Sequence, residues 1–261
     1  MVVESRRDAG RHLGQSVNLG TLVDLSRYPI SNGFDLADRT LVEVCRAQLA
    51  QNGVCVLKDF MRPAAVAAAV ADLQDRLADA YYCENTHNPY LAADDPGYPP
   101  DHPRNRPQVS DLGCLADDRI PDRSSLRVLY QSPDLRGFIA AVLGVERLYP
   151  YADPLGSLNV NVFRPGQQLG WHFDNADYAI TVMLQSATTG GVYEYVPFAR
   201  SADDDNYETI TAVLDGDRRR IRQLAMGPGA LVLFRGRYSL HRVTPVEGTR
   251  PRLVAVLSYD T

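Results

Sequence analysis

Apolar positions along the chain fall into two regimes. In the first third they recur at helical spacing. The run DLADRTLVEVCRAQLAQNG (residues 35–53) places Leu41, Val44, Cys45 and Leu49 on one face and ends at Gly53, a residue suited to a C-terminal stop. GVCVLKDF then reads as a short strand. RPAAVAAAVADLQDRLADAYY (62–82) reads as an Ala-rich helix with Pro63 in its first turn, where proline is tolerated. SPDLRGFIAAVLG (132–144) predicts a third, shorter helix. Between the last two, residues 83–107 are dense in Pro, Asn and Asp and lose all periodicity. An irregular segment this long inside a compact domain is expected to be a functional lid.

After about residue 147 the pattern changes to short β-forming runs: LNVNVF, WHFD, YAITVMLQ, GVYEYVPF, ALVLF, LHRVTP and RLVAVLSYD. They are punctuated by RPGQQ, ATTGG and GPGA. Many short strands with Gly/Pro turns predict a sandwich or barrel. With neither an internal repeat nor a linker, the expectation is one mainly β domain with bracing helices (α+β) over residues 1–261. Residues 1–146 would form a mostly helical bracing region with the lid, and 147–261 the β core.

Composition narrows the function classes. The chain has 261 residues, 45% hydrophobic and 23% charged, as expected for an ordinary globular protein with a sizeable core. A net charge of −5 argues against a nucleic-acid binder. The basic run DRRRIR (217–222) lies close to the acidic DDD (203–205), which reads as a solvated hairpin or loop. No apolar run is long enough to cross a bilayer, and residues 1–17 show no secretory signal. Cys45, Cys55, Cys83 and Cys114 form no CxxC pair, so reduced thiols and a cytoplasmic location are expected. Cys83, His87 and His102 match no strong zinc spacing.

The chemistry concentrates in GWHFDNADYAITVMLQ (170–185). In a strand, His172 and Asp174 project to one side. The pair alone is weak evidence, because any chain with five His and many Asp produces His-x-Asp by chance. His241, in GRYSLHRVTPVEG, supplies a third donor. Two imidazoles and one carboxylate on one octahedral face leave positions open, the arrangement of non-haem Fe(II) oxygenases. A keto acid fills two of these and dioxygen the third, and the far carboxylate then needs a cation such as the planar arginine fork. Arg250 and Arg252 share parity, and either could serve. Arg252 is preferred because the apolar LVAVL begins directly after it. Asn161 and Asn159 alternate with valines and would face the cavity, Asn161 toward the keto acid and Asn159 toward substrate, unless they form an outward polar face. Asn175 and Asp177 either read a substrate amine or close a turn. Thr181 and Met183 line the cavity or pack the core, and Trp171 shields the metal or fills core.

On these motifs the sequence resembles the iron(II)- and 2-oxoglutarate-dependent dioxygenases. FRPGQQLGWHFD, TTGGVYEYVP, GPGALVLF and HRVTPVEGTRPR carry the resemblance across about residues 159–259. It implies a double-stranded β-helix (jelly roll, cupin-like) with iron inside its open end. The phrasing EYVPFAR, GRYSLHRVTPVEG and RLVAVLSYDT is similar to a bacterial branch of free-amino-acid hydroxylases and radical halogenases. In that branch halogenases carry Gly or Ala at the carboxylate position, vacating a site for chloride. This chain keeps Asp174. The implied activity is hydroxylation of an unactivated C–H bond of a small metabolite, using Fe(II), 2-oxoglutarate and O2. Desaturation or cyclisation by the same chemistry, a zinc hydrolase and a non-catalytic binding protein are the alternatives.

Overall fold

The computed structural model describes residues 18–30 and 36–261, so the reading of residues 1–17 as free of a leader lies outside them. The N-terminal half runs α1 (Leu19–Leu22), α2 (Leu36–Asn52), β1 (Val54–Leu57), α3 (Pro63–Gln74), β2 (Tyr81–His87), β3 (Gln108–Leu115), α4 (Ser125–Gln131) and α5 (Pro133–Leu143). It continues through β4 (Tyr149–Pro150), β5 (Leu158–Phe163), β6 (Leu169–His172), β7 (Ala179–Gln185), β8 (Tyr193–Val196), α6 (Tyr207–Leu214), β9 (Arg222–Gln223), β10 (Leu231–Phe234), β11 (Leu240–Val243), β12 (Arg252–Leu257) and β13 (Tyr259–Asp260).

A seven-stranded sheet, ordered β1-β10-β7-β12-β5-β3-β2, faces a four-stranded sheet ordered β6-β11-β8-β9. All their pairings are antiparallel. This is the expected double-stranded β-helix. Strand alternation explains the large sheet's two faces. Ile180, Val182 and Leu184 of β7, with Leu231, Leu233, Leu253 and Ala255, join the cluster built with the helices. Met183 and Val254, of opposite parity, pack with Ala230 in a separate cluster between the sheets.

Four expectations are corrected. The buried face of α2 carries Val42, Cys45 and Leu49, in successive steps of three and four residues, while Val44 is 47% exposed. Residues 83–87 belong to β2 rather than to an irregular loop, and the second helix ends at Gln74 instead of continuing to Tyr82. The β core also draws on residues before 147, because β1, β2 and β3 are strands of the large sheet. β2 escapes pattern reading because it is an edge strand whose residues are mostly exposed and polar. Among the described residues no helix is long and apolar enough to cross a membrane.

Candidate metal centre

The small sheet's register brings the two histidines together. His172 ends β6 and lies directly opposite His241 of β11, with ring centroids 4.1 Å apart. Each imidazole bonds the carbonyl two residues back: His172 Nδ1 meets Gly170 O at 2.8 Å and His241 Nδ1 meets Ser239 O at 2.9 Å. A carbonyl can only accept, so both Nδ1 atoms carry the proton and both Nε2 lone pairs are free for a metal.

Asp174 follows two residues past His172, where the chain has left β6. Its backbone N–H donates to Gly236 O at 3.1 Å. Its Oδ1 lies 3.5 Å from His172 Nε2 and 3.4 Å from His241 Nε2. Its Oδ2 is shielded from solvent and has no hydrogen-bond partner. One donor atom from each of the three residues lies within 4.8 Å of the others. Burial, and then the neighbouring His241, push His172 below its ordinary pKa, which favours the neutral ligand form. Burial opposes ionisation of Asp174, but the adjacent imidazoles outweigh it and hold the carboxyl well below the usual range. Two neutral nitrogens, one carboxylate and an orphaned carboxylate oxygen fit a divalent cation with open positions.

Gly236 makes the centre sterically possible. A Cβ built there would sit 1.7 Å from Asp174 Oδ2. Gly236→Ala is therefore expected to displace the carboxylate and weaken Fe(II) binding by at least ~10-fold with little loss of secondary structure. Fe(II) titration and circular dichroism of this variant check it; unaltered affinity would contradict the geometry.

Arg252 opens β12 opposite Phe163, with its guanidinium 5.3 Å from that ring's centroid. It is 3% exposed, and among the described residues no acidic side chain pairs with it. Among those residues Nε has no partner, and Nη2 meets only Met226 Sδ at 3.8 Å. Burial pushes its pKa down to about 10, so it remains a cation at neutral pH. A buried, unpaired guanidinium calls for an anion. Tyr193 lies in the same layer. Its ring stacks on His241 at 5.6 Å, and burial, then the Asp174 carboxylate, raise its pKa well above the ordinary value.

The structure separates the sequence-predicted residues. Arg250 is exposed and spends its Nε on Ser186 O at 2.9 Å, so it is not at the site. Asn161 pairs with Val254 on the inner face, two positions along from Arg252, and its side chain makes no hydrogen bond with a described residue. Asn159 shares that parity but is committed elsewhere: with its amide nitrogen turned inward it donates to Leu155 O (2.8 Å) and Leu158 O (3.2 Å). Asn175 and Asp177 are exposed. Arg237 bonds Asn175 O and pairs with Asp177, so these residues close a turn. Thr181 and Met183 face inward opposite Val256 and Val254. Trp171 lies on the outer face of β6, in the cluster with Phe173 and Ile210 and under Arg242. Among the described residues Cys83, His87 and His102 join no group that could hold a metal; His102 stacks on Tyr98 at 4.0 Å. Sequence reading missed Tyr193 and Gly236. The alternation in GVYEYVP, with Glu194 bonded by Arg218 and Arg242 on the opposite face, was the available signal for Tyr193.

The family model described as "Halogenase D" matches residues 37–261. The chain belongs to the halogenase D family. A comparison with curated proteins finds no match. Solved structures share the fold of this halogenase D family member at low identity. A 2OG-Fe(II) oxygenase family oxidoreductase from Burkholderia pseudomallei is 15% identical with TM-score 0.53, over 84% of this chain and 90% of that one. AviO1 from Streptomyces viridochromogenes Tue57 is 14% identical with TM-score 0.57, over 84% and 94%. The epimerase SnoN, solved with Fe3+, alpha ketoglutarate and nogalamycin RO, is 13% identical with TM-score 0.57, over 85% and 84%. The double-stranded β-helix of this halogenase D family member is thus the 2-oxoglutarate/Fe(II) oxygenase fold.

Proposed function

We propose that the protein is an Fe(II)- and 2-oxoglutarate-dependent dioxygenase that hydroxylates an unactivated C–H bond of a small metabolite, an amino acid or a derivative of one. The observation that carries hydroxylation over halogenation is the retained carboxylate. Asp174 fills the coordination position that halogenases leave to chloride, and Gly236 leaves room for it.

In this reading His172, Asp174 and His241 hold the iron, and Arg252 holds the distal carboxylate of 2-oxoglutarate. Asn161 and the Tyr193 hydroxyl are the polar groups beside it on the facing inner walls. The metal and keto acid, once bound, supply oxidising power through decarboxylation of the keto acid with dioxygen. The protein supplies aim and dryness. The carbonyls of Gly170 and Ser239 keep the proton of each imidazole on Nδ1. The inward-facing Val254 and Met183 exclude water. The loop 88–107 is the proposed cover, pinned at its base where Phe173 N–H donates to Pro89 O at 2.8 Å. Arg104 ties its far end to Asp205 at 2.7 Å. A cytoplasmic setting, suggested by the free cysteines, is part of the proposal.

The test is succinate release by Fe(II)-loaded protein across a panel of free amino acids, with chloride present, followed by product mass. A substrate-stimulated product heavier by one oxygen is expected. A chlorinated product would reject hydroxylation, and one lighter by a pair of hydrogens would assign desaturation or ring closure instead.

A further inference from the structure

Gly170 presents a problem of control. Its carbonyl is the group that orients His172, yet glycine is the residue least able to hold its own backbone. Glycine is nonetheless required there, because β6 runs tight against β3. A Cβ at position 170 would meet Val109 O at 2.8 Å and Gln108 Cβ at 2.9 Å. Something outside the strand must therefore hold the backbone at Gly170, whose N–H and carbonyl belong to the two successive peptide groups flanking its Cα.

A chain of hydrogen bonds does so. Gly170 N–H donates to Ser110 Oγ at 3.0 Å, and Ser110 is buried. The same oxygen lies 2.6 Å from His87 Nε2, while His87 Nδ1 lies 2.9 Å from Asn88 O. One assignment of protons satisfies every atom: His87 Nδ1–H donates to Asn88 O, Ser110 Oγ–H donates to His87 Nε2, and Gly170 N–H donates to Ser110 Oγ. The His87 ring also stands edge-on to the His172 ring, with centroids 6.1 Å apart and planes at 83°. Both nitrogens of His87 are thus engaged, and it acts on the metal centre through its neighbours. The next residues continue the attachment, since Asn88 Oδ1 accepts from Tyr90 N and Pro89 O accepts from Phe173 N.

We propose that His87 is a positioning residue for the metal centre: through Ser110 it locks the Gly170 backbone that holds the His172 imidazole with Nε2 turned toward the metal. The inference rests on His172 being a ligand. It gives the hairpin β2–β3 a role beyond covering the site, because His87 at the end of β2 and Ser110 of β3 set the aim of a ligand on a different sheet.

The experiment compares wild type with His87→Phe, His87→Gln, Ser110→Ala and the Phe/Ala double variant. Fe(II) and Co(II) titrations, the visible Co(II) spectrum, and kcat and KM for 2-oxoglutarate are measured on each, with melting to verify folding. Phe keeps the edge contact but loses the acceptor. His87→Phe and Ser110→Ala are each expected to weaken metal binding by roughly 10–100-fold and to shift the Co(II) bands, with KM for 2-oxoglutarate unchanged. The double variant should be no worse than Ser110→Ala, because both break one chain. His87→Gln, whose amide oxygen accepts from Ser110, should recover most of the affinity. Wild-type affinity and spectrum in His87→Phe would overturn the proposal, as would additive losses or absence of rescue by Gln. If folded wild-type protein itself binds neither metal, the ligand reading of His172 falls and this inference with it; if wild type binds and the variants match it, only the role of His87 falls.

Discussion

Asp174→Ala is expected to abolish turnover while leaving the fold intact. Outer-shell partners of metal ligands typically carry about 10–100-fold in affinity or activity, and a direct ligand should exceed that. Loss of hydroxylation is therefore expected to pass ~100-fold, with a matching collapse in Fe(II) binding. The fold should survive because Asp174 lies beyond the end of β6 and its Oδ2 has no partner among the described residues. The adjacent imidazoles hold its carboxyl well below the usual range despite burial, which favours the folded state at neutral pH, so removing it is expected to lower the melting temperature of metal-free protein. The vacated space beside Gly236 would also be free for a halide. The check is a metal titration in parallel with succinate release, with and without chloride or bromide. Full hydroxylation by the variant would remove Asp174 from the metal.

Arg252→Met should separate binding from stability in opposite directions. Truncating one member of a buried charge pair costs about 2–5 kcal/mol, roughly 30-fold to several thousand-fold in affinity. The KM for 2-oxoglutarate is expected to rise by that range, measured by succinate release against keto-acid concentration. Without the keto acid, the substitution replaces an unpaired buried cation by an apolar chain of similar length, a change that is often neutral or stabilising. The sign follows from the pKa. Burial depresses that of Arg252 from its ordinary value to about 10, so the charged form is penalised in the folded state. The penalty is full below pH 10 and fades as pH rises from there toward the ordinary arginine value, leaving it undiminished at neutral pH. The metal-free variant should thus melt at or above the wild-type temperature. It should also lose the stabilisation that saturating 2-oxoglutarate gives wild type, about 2.7 kcal/mol at a hundred times Kd. Arg250→Ala, altering an exposed side chain, should change neither quantity. A large KM effect in Arg250→Ala with none in Arg252→Met would reverse the assignment.

The two arginines show why a site can be half legible. Arg250 and Arg252 have the same parity and chemistry, and the tertiary structure distinguishes them: Arg252 is buried against Phe163 and Met226, while Arg250 is exposed and bonds Ser186 O. Asn159 and Asn161 pose the same difficulty. Alternation left both an inward and an outward polar face open; the strand register turns both inward, where the carbonyls of Leu155 and Leu158 claim Asn159. The hairpin β2–β3 was hidden for another reason. Its first strand is an exposed edge with no apolar alternation, so nothing marked it as sheet before β3 was seen beside it.

What the chain determined by itself is local and periodic. Ser132 and Gly144 bracket α5, Ser132 Oγ accepting from Leu135 N and Gly144 adopting a left-handed conformation, because a helix end must satisfy its free backbone groups within a few residues. The β-rich runs and the His-x-Asp spacing are local in the same sense. Convergence is not. His241 meets His172 only because β11 pairs with β6 in one register. Gly236 comes to lie under Asp174, and Ser110 and His87 beside Gly170, only because segments distant in the sequence pack closely enough to leave no room for a Cβ at Gly236 or Gly170. Those approaches depend on the whole arrangement of sheets, and no window of sequence contains them.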